Sequence, residues 1–351
     1  MGGSISIADR LIGAGSRPFI VAEMSGNHNQ ALDRALAIVE AAAQAGAHAI
    51  KLQTYTADTI TLDVRSAAFV VDDDKSLWNG RRLYQLYRDA YTPWEWHAPL
   101  MERARALGML CFSSPFDESA VDFLQSLQVP AYKIASFENN HLPLIRKAAA
   151  TGKPLIISTG MATLAELDEA VEAARGAGCR DLVLLKCTST YPASPDNTNV
   201  LTIPDMRARF ECEIGLSDHT MGIGTAIAAV AHGAALIEKH FTLRRADGGV
   251  DSAFSLEPAE LAMLVEETER AWRSLGKVTY GPTAAEQKSL AFRRSLYVAE
   301  NMVAGEQFTP HNLRVVRPAG GLHPRFYEQV LGRRVARNVP KGTAVDWSLL
   351  A

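Results

Sequence analysis

The chain has 351 residues, of which 47% are hydrophobic and 21% are charged, and its formal net charge is −3. This length suits a large catalytic domain with a small appended one, and the apolar fraction is sufficient for a large buried core. The slightly negative charge argues against nucleic acid or an anionic membrane as a partner, whereas an anionic small substrate remains possible.

Localisation signals are missing from the sequence. No apolar run approaches the roughly 20 residues that a membrane helix needs, and no signal peptide opens the chain. The four cysteines, Cys111, Cys179, Cys187 and Cys212, have no metal-type spacing and are interpreted as free thiols. We therefore expect a cytoplasmic protein.

Short apolar runs alternate with longer helical patterns from residue 19 onward. A polar insertion at residues 55–91 is too long for an ordinary connection and is a candidate functional loop. Thr163 followed by Glu166 is typical of a helix-capping box. Eight strands, each followed by a helix, predict an α/β protein with a (β/α)8 TIM barrel. The predicted strands are 19–24, 49–54, 109–114, 131–136, 154–159, 182–188, 213–219 and 235–242, and the main helices are 32–45, 93–107, 118–127, 142–150, 164–174 and 258–275.

The composition changes towards the end of the chain. Gly281-Pro282 interrupts the pattern, and the residues beyond it are short, strand-rich and dense in Gly, Pro and Arg. We expect a barrel domain at residues 1–280, a linker at 281–290 and a small β-rich domain at 291–351.

Polar residues stand at the carboxyl ends of the predicted strands, where barrel enzymes place their chemistry. Lys51 and Gln53 share one face of the second strand, and Glu238 and His240 share one face of the eighth. A single ionisable group in a strand can be a satisfied core residue, but such residues at six or more strand ends indicate a site. The other polar strand-end residues are Glu23, Ser113, Ser114, Lys133, Ser136, Ser158, Thr159, Ser217 and His219.

These residue types suggest what the site binds. Lys51 and Lys133 supply positive charge, and the strand-end hydroxyls supply donors, a set suited to a phosphate or a carboxylate. His219 and His240 end adjacent strands, so their imidazoles can converge on an open, catalytic metal site. Two hydrogen-bonded structural histidines would have the same spacing, and the pattern leaves both interpretations open.

Seven short motifs at these strand ends carry a family likeness. They are IVAEMSGNHN (20–29), KLQT (51–54), FSSPF (112–116), AYKIAS (131–136), ISTGM (157–161), GLSDHT (215–220) and EKHFT (238–242). Together they resemble the sialic acid synthase family over nearly the whole chain. The C-terminal part resembles the small antifreeze-like (SAF) domain of these enzymes, so the resemblance implies a TIM barrel followed by a SAF domain.

The resemblance implies a metal-dependent transferase that condenses phosphoenolpyruvate with an N-acetylated amino sugar, giving a nine-carbon 2-keto acid and phosphate. His219 and His240 would hold Mn²⁺ or Mg²⁺, and Glu23 is our candidate for orienting or deprotonating a water molecule. The implied phosphoenolpyruvate residues are Lys51, Gln53, Lys133, Ser136, Ser158, Ser217 and, where several relatives have Asn, Ser189; the sugar-side residues are Asn79, Glu138, which we also count as catalytic, Tyr191, Asp251 and Arg317.

The resemblance also implies a homodimer, in which Arg317 of the small domain reaches the partner's active site. A fold-back of the small domain within one chain would look identical in the sequence.

Residues 24–30 read MSGNHNQ, where N-acetylneuraminate synthases usually have Ile or Ala, Gly, a small apolar residue and then Asn-His. This stretch, together with residues 53–59 and 83–96, resembles the pseudaminic acid synthases, whose acceptor is 2,4-diacetamido-2,4,6-trideoxy-L-altrose. The aromatic residues of 83–96 either line an apolar wall for this sugar or only pack the helix after the insertion. An acceptor of the N-acetylneuraminate or legionaminate type is the alternative.

A Schiff-base aldolase is a rival prediction from a different class, because it also uses a barrel. Lys186 lies near the end of the sixth strand, where such lysines are common, and Lys133 is a second candidate. That mechanism needs no metal. A purely sugar- or ice-binding role for the small domain leaves the strand-end lysines and histidines unexplained.

Overall fold

The computed structural model describes residues 4–74 and 76–351 and divides the chain into two compact units. The first unit spans Met1–Gly276 and the second spans Lys277–Ala351. The division thus falls directly after a helix that ends at Leu275, whereas the sequence analysis extended the barrel domain to residue 280. Part of the expected linker is ordered, since Ala284–Phe292 form a 3₁₀ helix.

The first unit is built on a closed barrel of eight parallel strands, which confirms the predicted fold. A short antiparallel hairpin, β1 (Ile5–Ile7) and β2 (Arg10–Ile12), precedes the barrel. The last barrel strand pairs with the first, with His240 opposite Glu23, and this pairing closes the sheet. The barrel strands are β3 (Phe19–Glu23), β4 (Ala49–Thr54), β5 (Leu110–Pro115), β6 (Tyr132–Ile134), β7 (Leu155–Ser158), β8 (Leu182–Cys187), β9 (Glu213–Asp218) and β10 (Leu236–His240).

Helices connect the parallel strands, as such crossovers require. The capping box is present, because the Glu166 amide donates to Thr163 Oγ1 at 3.3 Å and the Thr163 amide donates to the Glu166 carboxylate at 2.7 Å. Within the described part of the chain, no helix has both the length and the apolar character needed to cross a membrane. The helices are α1 (Leu32–Gln44), α2 (Ala57–Ile60), α3 (Leu83–Ala90), α4 (His97–Ala106), α5 (Glu118–Ser126), α6 (Leu142–Ala150), α7 (Leu164–Gly176), α8 (Thr202–Phe210), α9 (Gly224–Ala231) and α10 (Pro258–Leu275).

The interior of the barrel is apolar at the amino ends of the strands. Phe112 and Val183 belong to a buried cluster that alternate residues of the strands form inside the barrel. Ile5, Ile7 and Ile12 of the hairpin join the same cluster, so the hairpin covers this end of the barrel. The sequence analysis did not find the hairpin, because each of its strands has only three residues.

The insertion after β4 contains the two helices α2 and α3 in its described residues, 55–74 and 76–91. Hydrogen bonds anchor it to other loops. The Trp78 indole donates to the carbonyl of Val250 at 3.0 Å, and the Gln30 side chain donates to the carbonyl of Tyr91 at 2.6 Å. These contacts tie the insertion to the loops that follow β10 and β3.

The second unit is small and has its own core. Strands β11 (Ser295–Val298) and β12 (Leu313–Val316) pair in an antiparallel sheet, and helix α11 (Tyr327–Val330) follows them. Leu296, Phe308 and further apolar side chains form a separate buried cluster. The expected small β-rich domain is therefore present, although much of it is irregular.

Candidate active site

Two lysines and two carboxylates occupy the barrel interior at the carboxyl ends of the strands. The Lys51 ammonium lies 2.8 Å from Glu23 Oε2 and 3.3 Å from Glu238 Oε1. Lys133 donates to Glu238 Oε1 at 3.2 Å, and Ser217 donates to the same oxygen at 3.2 Å. All four charged residues are at most 4% exposed. The structure thus brings five strand-end residues together, as the alternation predicted.

Glu238 is the member of this group to which the sequence analysis gave no binding or catalytic role. Its position on the same face of the strand as His240 was the available signal. Burial favours a raised pKa for Glu238, but Lys133 and Lys51 outweigh burial and lower the pKa to about 2. Glu238 is therefore a permanent anion that holds both lysines in place.

Glu23 and Lys133 respond differently to the same surroundings. Burial raises the pKa of Glu23, although Lys51 opposes the shift, and Glu238 adds to it. Burial also lowers the pKa of Lys133, against the opposing effect of Glu238. Glu23 is consequently the carboxylate of this group that accepts a proton more readily, as a general base must.

Serine hydroxyls line a cradle beside the lysines. The amide of Gly160 donates to Ser136 Oγ at 3.2 Å, and Ser158 Oγ is buried without a partner among the described residues. A Cβ on Gly160 would lie only 2.1 Å from Ser189 Oγ and 2.6 Å from Ser136 Oγ, so a side chain there would fill the cradle. The predicted serines Ser136 and Ser189 therefore border one small space beside Gly160, and the unpartnered hydroxyl of Ser158 lies two residues before this glycine in the chain, a set of donors suited to the oxygens of an anion.

Asn139 shapes this cradle and was not predicted. Its buried side-chain amide donates to the carbonyl of Gly160 at 3.0 Å and to the carbonyl of Ser158 at 3.3 Å. The position just after Glu138 in the turn that follows β6 gave no signal of this role in the sequence.

The two predicted histidines meet at the ends of β9 and β10, with ring centroids 5.3 Å apart. His219 Nδ1 lies 2.9 Å from the carbonyl of Thr188, and because a carbonyl only accepts, this nitrogen must carry the proton. That tautomer leaves the Nε2 lone pair of His219 available, as in most metal-ligating histidines. His240 Nδ1 is buried without a hydrogen-bond partner among the described residues and lies 3.6 Å from Asp251 Oδ2.

These donors fit an open metal site better than a closed one. In the residues that the structure describes, no group of three or more His, Cys, Asp or Glu side chains could hold a metal ion. Two histidines with free nitrogens would leave positions for water and substrate oxygens, which a catalytic site needs. Burial lowers the pKa of His240 well below its usual value, so this imidazole is neutral and able to act as a ligand.

Aromatic side chains surround the histidines. The ring of Tyr191 lies 4.4 Å from that of His219, and Phe254 lies 4.9 Å from His240. Trp78 of the insertion lies 5.7 Å from Tyr191, so the insertion contributes to the wall of the site. Asn79, the predicted sugar residue of the insertion, is exposed and donates to Asp74 at 3.1 Å within its own loop. Trp78 and Phe254 were missed, since a lone aromatic in a loop is more often packing than site.

Glu138 follows β6 and points into a buried space. Its Oε2 atom has no hydrogen-bond partner among the described residues. Burial raises the pKa of Glu138 to about 7, although Lys133 and Lys51 oppose the shift. This carboxyl can therefore exchange a proton near neutral pH.

A hydrogen-bonded chain joins Glu23 to Asp251. The Gln53 side-chain amide donates to Glu23 Oε1 at 2.9 Å and to Ser25 Oγ at 3.2 Å. Ser25 in turn donates to Asp251 Oδ2. Burial raises the pKa of Asp251, against the lowering effect of the Ser25 hydrogen bond. The sequence analysis assigned Gln53 to phosphoenolpyruvate and Asp251 to the sugar. It did not predict Ser25, which connects them.

The aromatic stretch at 83–96 divides into two groups with different neighbours. Trp94 stacks on Phe123 at 4.7 Å and belongs to the packing of the outer helices. Tyr87 instead lies 5.8 Å from the ring of Tyr55, which follows β4 and lies 5.0 Å from Phe116 after β5. The Tyr55–Tyr87–Phe116 group forms an apolar wall at the carboxyl end of the barrel.

Lys186 lies on the helix-facing side of β8. Leu184, which shares its side of β8, belongs to the cluster between barrel and helices, while Leu185 belongs to the interior cluster. The Lys186 ammonium donates to the carbonyl of Cys187 at 3.0 Å. The alternation thus removes Lys186 from the site and leaves Lys133 as the interior lysine for a Schiff base.

Arg317 lies in the second unit, directly after β12. With Arg293 and Arg294 it lines an exposed depression that also includes Ser289 and Phe292. Within the described part of this unit, none of these three arginines forms an ion pair. The expected approach of Arg317 to an active site stays a prediction.

Both parts of the chain match known families. A model described as the NeuB family matches residues 38–280, and a SAF domain model matches residues 293–351. A pseudaminic acid synthase from Campylobacter jejuni is 42% identical over 327 residues, which cover 93% of this chain and 95% of that protein. A pseudaminic acid synthase from Helicobacter pylori is 42% identical over 331 residues, covering 94% and 96%.

A solved structure supports the same relationship. The N-acetylneuraminic acid (sialic acid) synthetase of Leptospira borgpetersenii, in complex with citrate, superposes with a TM-score of 0.72 at 34% sequence identity. The match covers 83% of this chain and 96% of that chain. The fold is therefore not particular to this sequence.

Proposed function

The chain belongs to the NeuB family and carries a SAF domain, and from this premise we propose that it catalyses the pseudaminic acid synthase reaction. In this transferase reaction phosphoenolpyruvate condenses with 2,4-diacetamido-2,4,6-trideoxy-L-altrose, and phosphate leaves by C–O cleavage. The observation that carries the proposal is the pair of buried lysines, Lys51 and Lys133, beside two histidines on adjacent strands. Such a site holds an anion next to a carbonyl that can be activated.

The lysines and the serine cradle are assigned to phosphoenolpyruvate. Glu238 holds both Lys51 and Lys133, and Glu23 also pairs with Lys51. The unpartnered Ser158 hydroxyl and the neighbouring hydroxyls of Ser136 and Ser189 supply donors for phosphate or carboxylate oxygens. An anion in this buried space would strengthen each of these charge-assisted contacts.

His219 and His240 are assigned to a divalent cation, Mn²⁺ or Mg²⁺. The free Nε2 of His219 and the unpartnered Nδ1 of His240 fit this role. When bound there, the cation would polarise the aldehyde of the open-chain sugar.

The reaction requires one new carbon–carbon bond and the loss of one carbon–oxygen bond. C3 of phosphoenolpyruvate bonds to the aldehyde carbon, and the aldehyde oxygen becomes a hydroxyl. Water adds at C2, and the bond from C2 to the phosphate oxygen then breaks with its electron pair leaving on phosphate. The water molecule loses both of its protons in this sequence. One proton equals the proton that the new hydroxyl gains, and the other equals the proton that leaves with the phosphate.

Two carboxyls are suited to these proton movements. Glu23, at the end of β3 and beside Lys51, is our candidate to orient or deprotonate the water. Glu138, with a pKa raised by burial to about 7, is our candidate to donate a proton to the aldehyde oxygen as it becomes a hydroxyl on the sugar side. Glu23→Gln with near-normal turnover would contradict the first assignment, because general-base catalysis contributes about 10²–10⁴-fold.

The aromatic walls are assigned to the sugar. Tyr191 and Trp78 lie beside the histidines, and the Tyr55–Tyr87–Phe116 group offers apolar surface for a deoxy methyl or an acetamido methyl. Asp251 is the polar partner on this side. A legionaminate- or N-acetylneuraminate-type acceptor remains the alternative substrate.

We include a homodimer, with Arg317 reaching the partner's site, in the proposal. The second unit has 11 Lys and Arg against 5 Asp and Glu, a formal charge of +6, and the first has 25 against 34, a charge of −9. Opposite charges favour the docking of one kind of unit on the other. Mixing Arg317→Ala with a His240→Ala variant tests sharing, because only a shared site restores activity in the mixture.

We also place the protein in the cytoplasm. All four cysteines are buried and free, which suits a reducing compartment.

A phosphate-release assay tests the function. Phosphoenolpyruvate is offered with the altrose derivative, its legionaminate-type counterpart and N-acetylmannosamine, after EDTA treatment and again after Mn²⁺ addition. We expect fastest release with the altrose derivative, loss with EDTA and recovery with Mn²⁺. Faster turnover of another sugar would reassign the acceptor. EDTA-insensitive activity with a borohydride-trapped adduct on Lys133 would instead support a Schiff-base aldolase.

A further inference from the structure

Ser25 is held in a backbone conformation that serine rarely adopts. Its φ angle is +48°, in the left-handed region where glycine is favoured and where other residues are strained. The residue lies two positions beyond the end of β3 and is only 4% exposed. A serine at a position where glycine would be relaxed suggests that its hydroxyl has a use.

The hydroxyl has two partners, and both belong to the candidate site. It donates to Asp251 Oδ2 and accepts a hydrogen bond of 3.2 Å from the Gln53 side-chain amide. The same amide donates to Glu23 Oε1 at 2.9 Å. Gln53 reaches across from β4, and Asp251 lies in the loop after β10, so Ser25 joins two elements far apart in sequence.

The contact restricts Asp251 where orientation matters. The Asp251 side chain is 11% exposed, and its Oδ2 also lies 3.6 Å from His240 Nδ1. The Ser25 hydrogen bond to the same oxygen limits the rotation of this carboxylate beside the imidazole. With the bond, Oδ2 is fixed, and the orientation of the whole carboxylate is set.

We propose that Ser25 is a positioning residue for the acceptor sugar: it holds the Asp251 carboxylate in its sugar-binding orientation and links it through Gln53 to Glu23. This inference rests on the proposed function, because it takes Asp251 as a sugar contact. The backbone of Ser25 is then strained because its hydroxyl has to lie between Gln53, on the phosphoenolpyruvate side of the site, and Asp251, on the sugar side.

The test compares Ser25→Gly with Ser25→Ala. Both variants remove the hydroxyl, but glycine relaxes at a positive φ and alanine does not. We expect both variants to raise the KM for the sugar, or to lower kcat/KM for the sugar, by about 10- to 100-fold. This is the usual effect of losing a hydrogen bond to a charged group. The KM for phosphoenolpyruvate should stay within about twofold, and Ser25→Gly should unfold at a higher urea concentration than Ser25→Ala.

Thr268→Val is the matched control. Thr268 is 1% exposed and donates only to carbonyls of its own helix, to Leu264 at 2.6 Å and Val265 at 3.2 Å. This variant loses a buried hydroxyl outside the site, so both KM values should equal those of the wild type.

Three outcomes would overturn the inference. Wild-type sugar kinetics in both Ser25 variants would show that the hydroxyl has no role. Wild-type kinetics in Ser25→Gly alone would show that only the strain or the Cβ matters. If the wild type itself releases no phosphate with any of the sugars, the proposed function fails and this inference falls with it.

Discussion

The two ends of the barrel interior differ completely in chemistry, although the same strands build both. On β6, Ala131 precedes the strand in the apolar cluster, and Lys133, two residues on, is among the buried charges. On β10, Leu236 is in the apolar cluster and Glu238 binds both lysines. On each of these strands, two residues therefore separate the apolar end of the barrel interior from the charged end.

The two ends also differ in energetic terms. The apolar end is closed by the hairpin and removes its side chains from water, which is favourable. The charged end buries two lysines and two glutamates, whose desolvation is offset by their mutual contacts and by the hydrogen bonds from Ser217 and Gln53. We therefore expect substitutions at the apolar end to change stability and those at the charged end to change activity.

The largest effect should come from Lys133→Met, which keeps the apolar stem and removes the charge. We expect phosphate release to fall by about 10²–10³-fold or more, since a preorganised charge facing the reacting anion is lost. Steady-state phosphate release and urea unfolding would be measured on the same preparation.

Lys186→Met is the control for this variant, because Lys186 lies on the helix-facing side of β8. Its activity should stay close to that of the wild type. Equal losses in both variants would contradict the division between the faces of the strands.

Phe112→Ala tests the apolar end. Phe112 is 1% exposed and lies two residues before Ser114 on β5, in the cluster that the hairpin covers. We expect the free energy of unfolding to drop by about 3–5 kcal/mol, because a large cavity is created. Both KM values should be unchanged for the protein that remains folded, and a change in either KM would show that the two ends are coupled.

The pH dependence of the free energy of unfolding tests how much the burial of an ionisable group at the charged end destabilises the folded protein. Glu138 has an ordinary pKa of 4.5, which burial raises to about 7 in the folded protein. Below the ordinary pKa both states are protonated, and the group has no effect. As the pH rises to 7, the unfolded chain ionises first, so the folded state loses about 3 kcal/mol relative to it.

Glu138→Gln removes this titration. Urea unfolding of variant and wild type between pH 4 and pH 8 should therefore show the variant gaining relative stability up to about pH 7 and then levelling off. A difference that does not change with pH would contradict the raised pKa.

The sequence predicted the barrel well because its signals are local. Each barrel strand is a short apolar run, and side-chain alternation alone assigned Lys51, Gln53 and Glu238 to the inner face. The α10 bounds and the capping box of α7 were also readable, since Pro258, Thr163 and Glu166 are strong end signals.

The remaining features depend on contacts between distant segments, which no local pattern shows. Trp78 joins the site through Val250, and Ser25 through Asp251, both more than 150 positions away along the chain. Helix α9 was not delimited, because GTAIAAVA has hardly any polar face to reveal a helical period. Whether Arg317 meets another subunit is a question about a second chain, and a single sequence has no signal for it.

The smallest effect should come from Thr163→Ala. This variant tests whether activity depends on the whole carboxyl end of the barrel or only on its interior. Thr163 follows β7 by five residues and therefore lies at the same end of the barrel as Ser158, but it caps α7 on the outside. The variant loses the capping hydrogen bonds with Glu166, so the free energy of unfolding should fall by about 1 kcal/mol. Phosphate release and both KM values should match the wild type, because no contact of Thr163 reaches the serine cradle in the described structure. A loss of activity without a loss of stability would mean that the cradle depends on the cap, and the functional boundary would then lie outside the barrel interior.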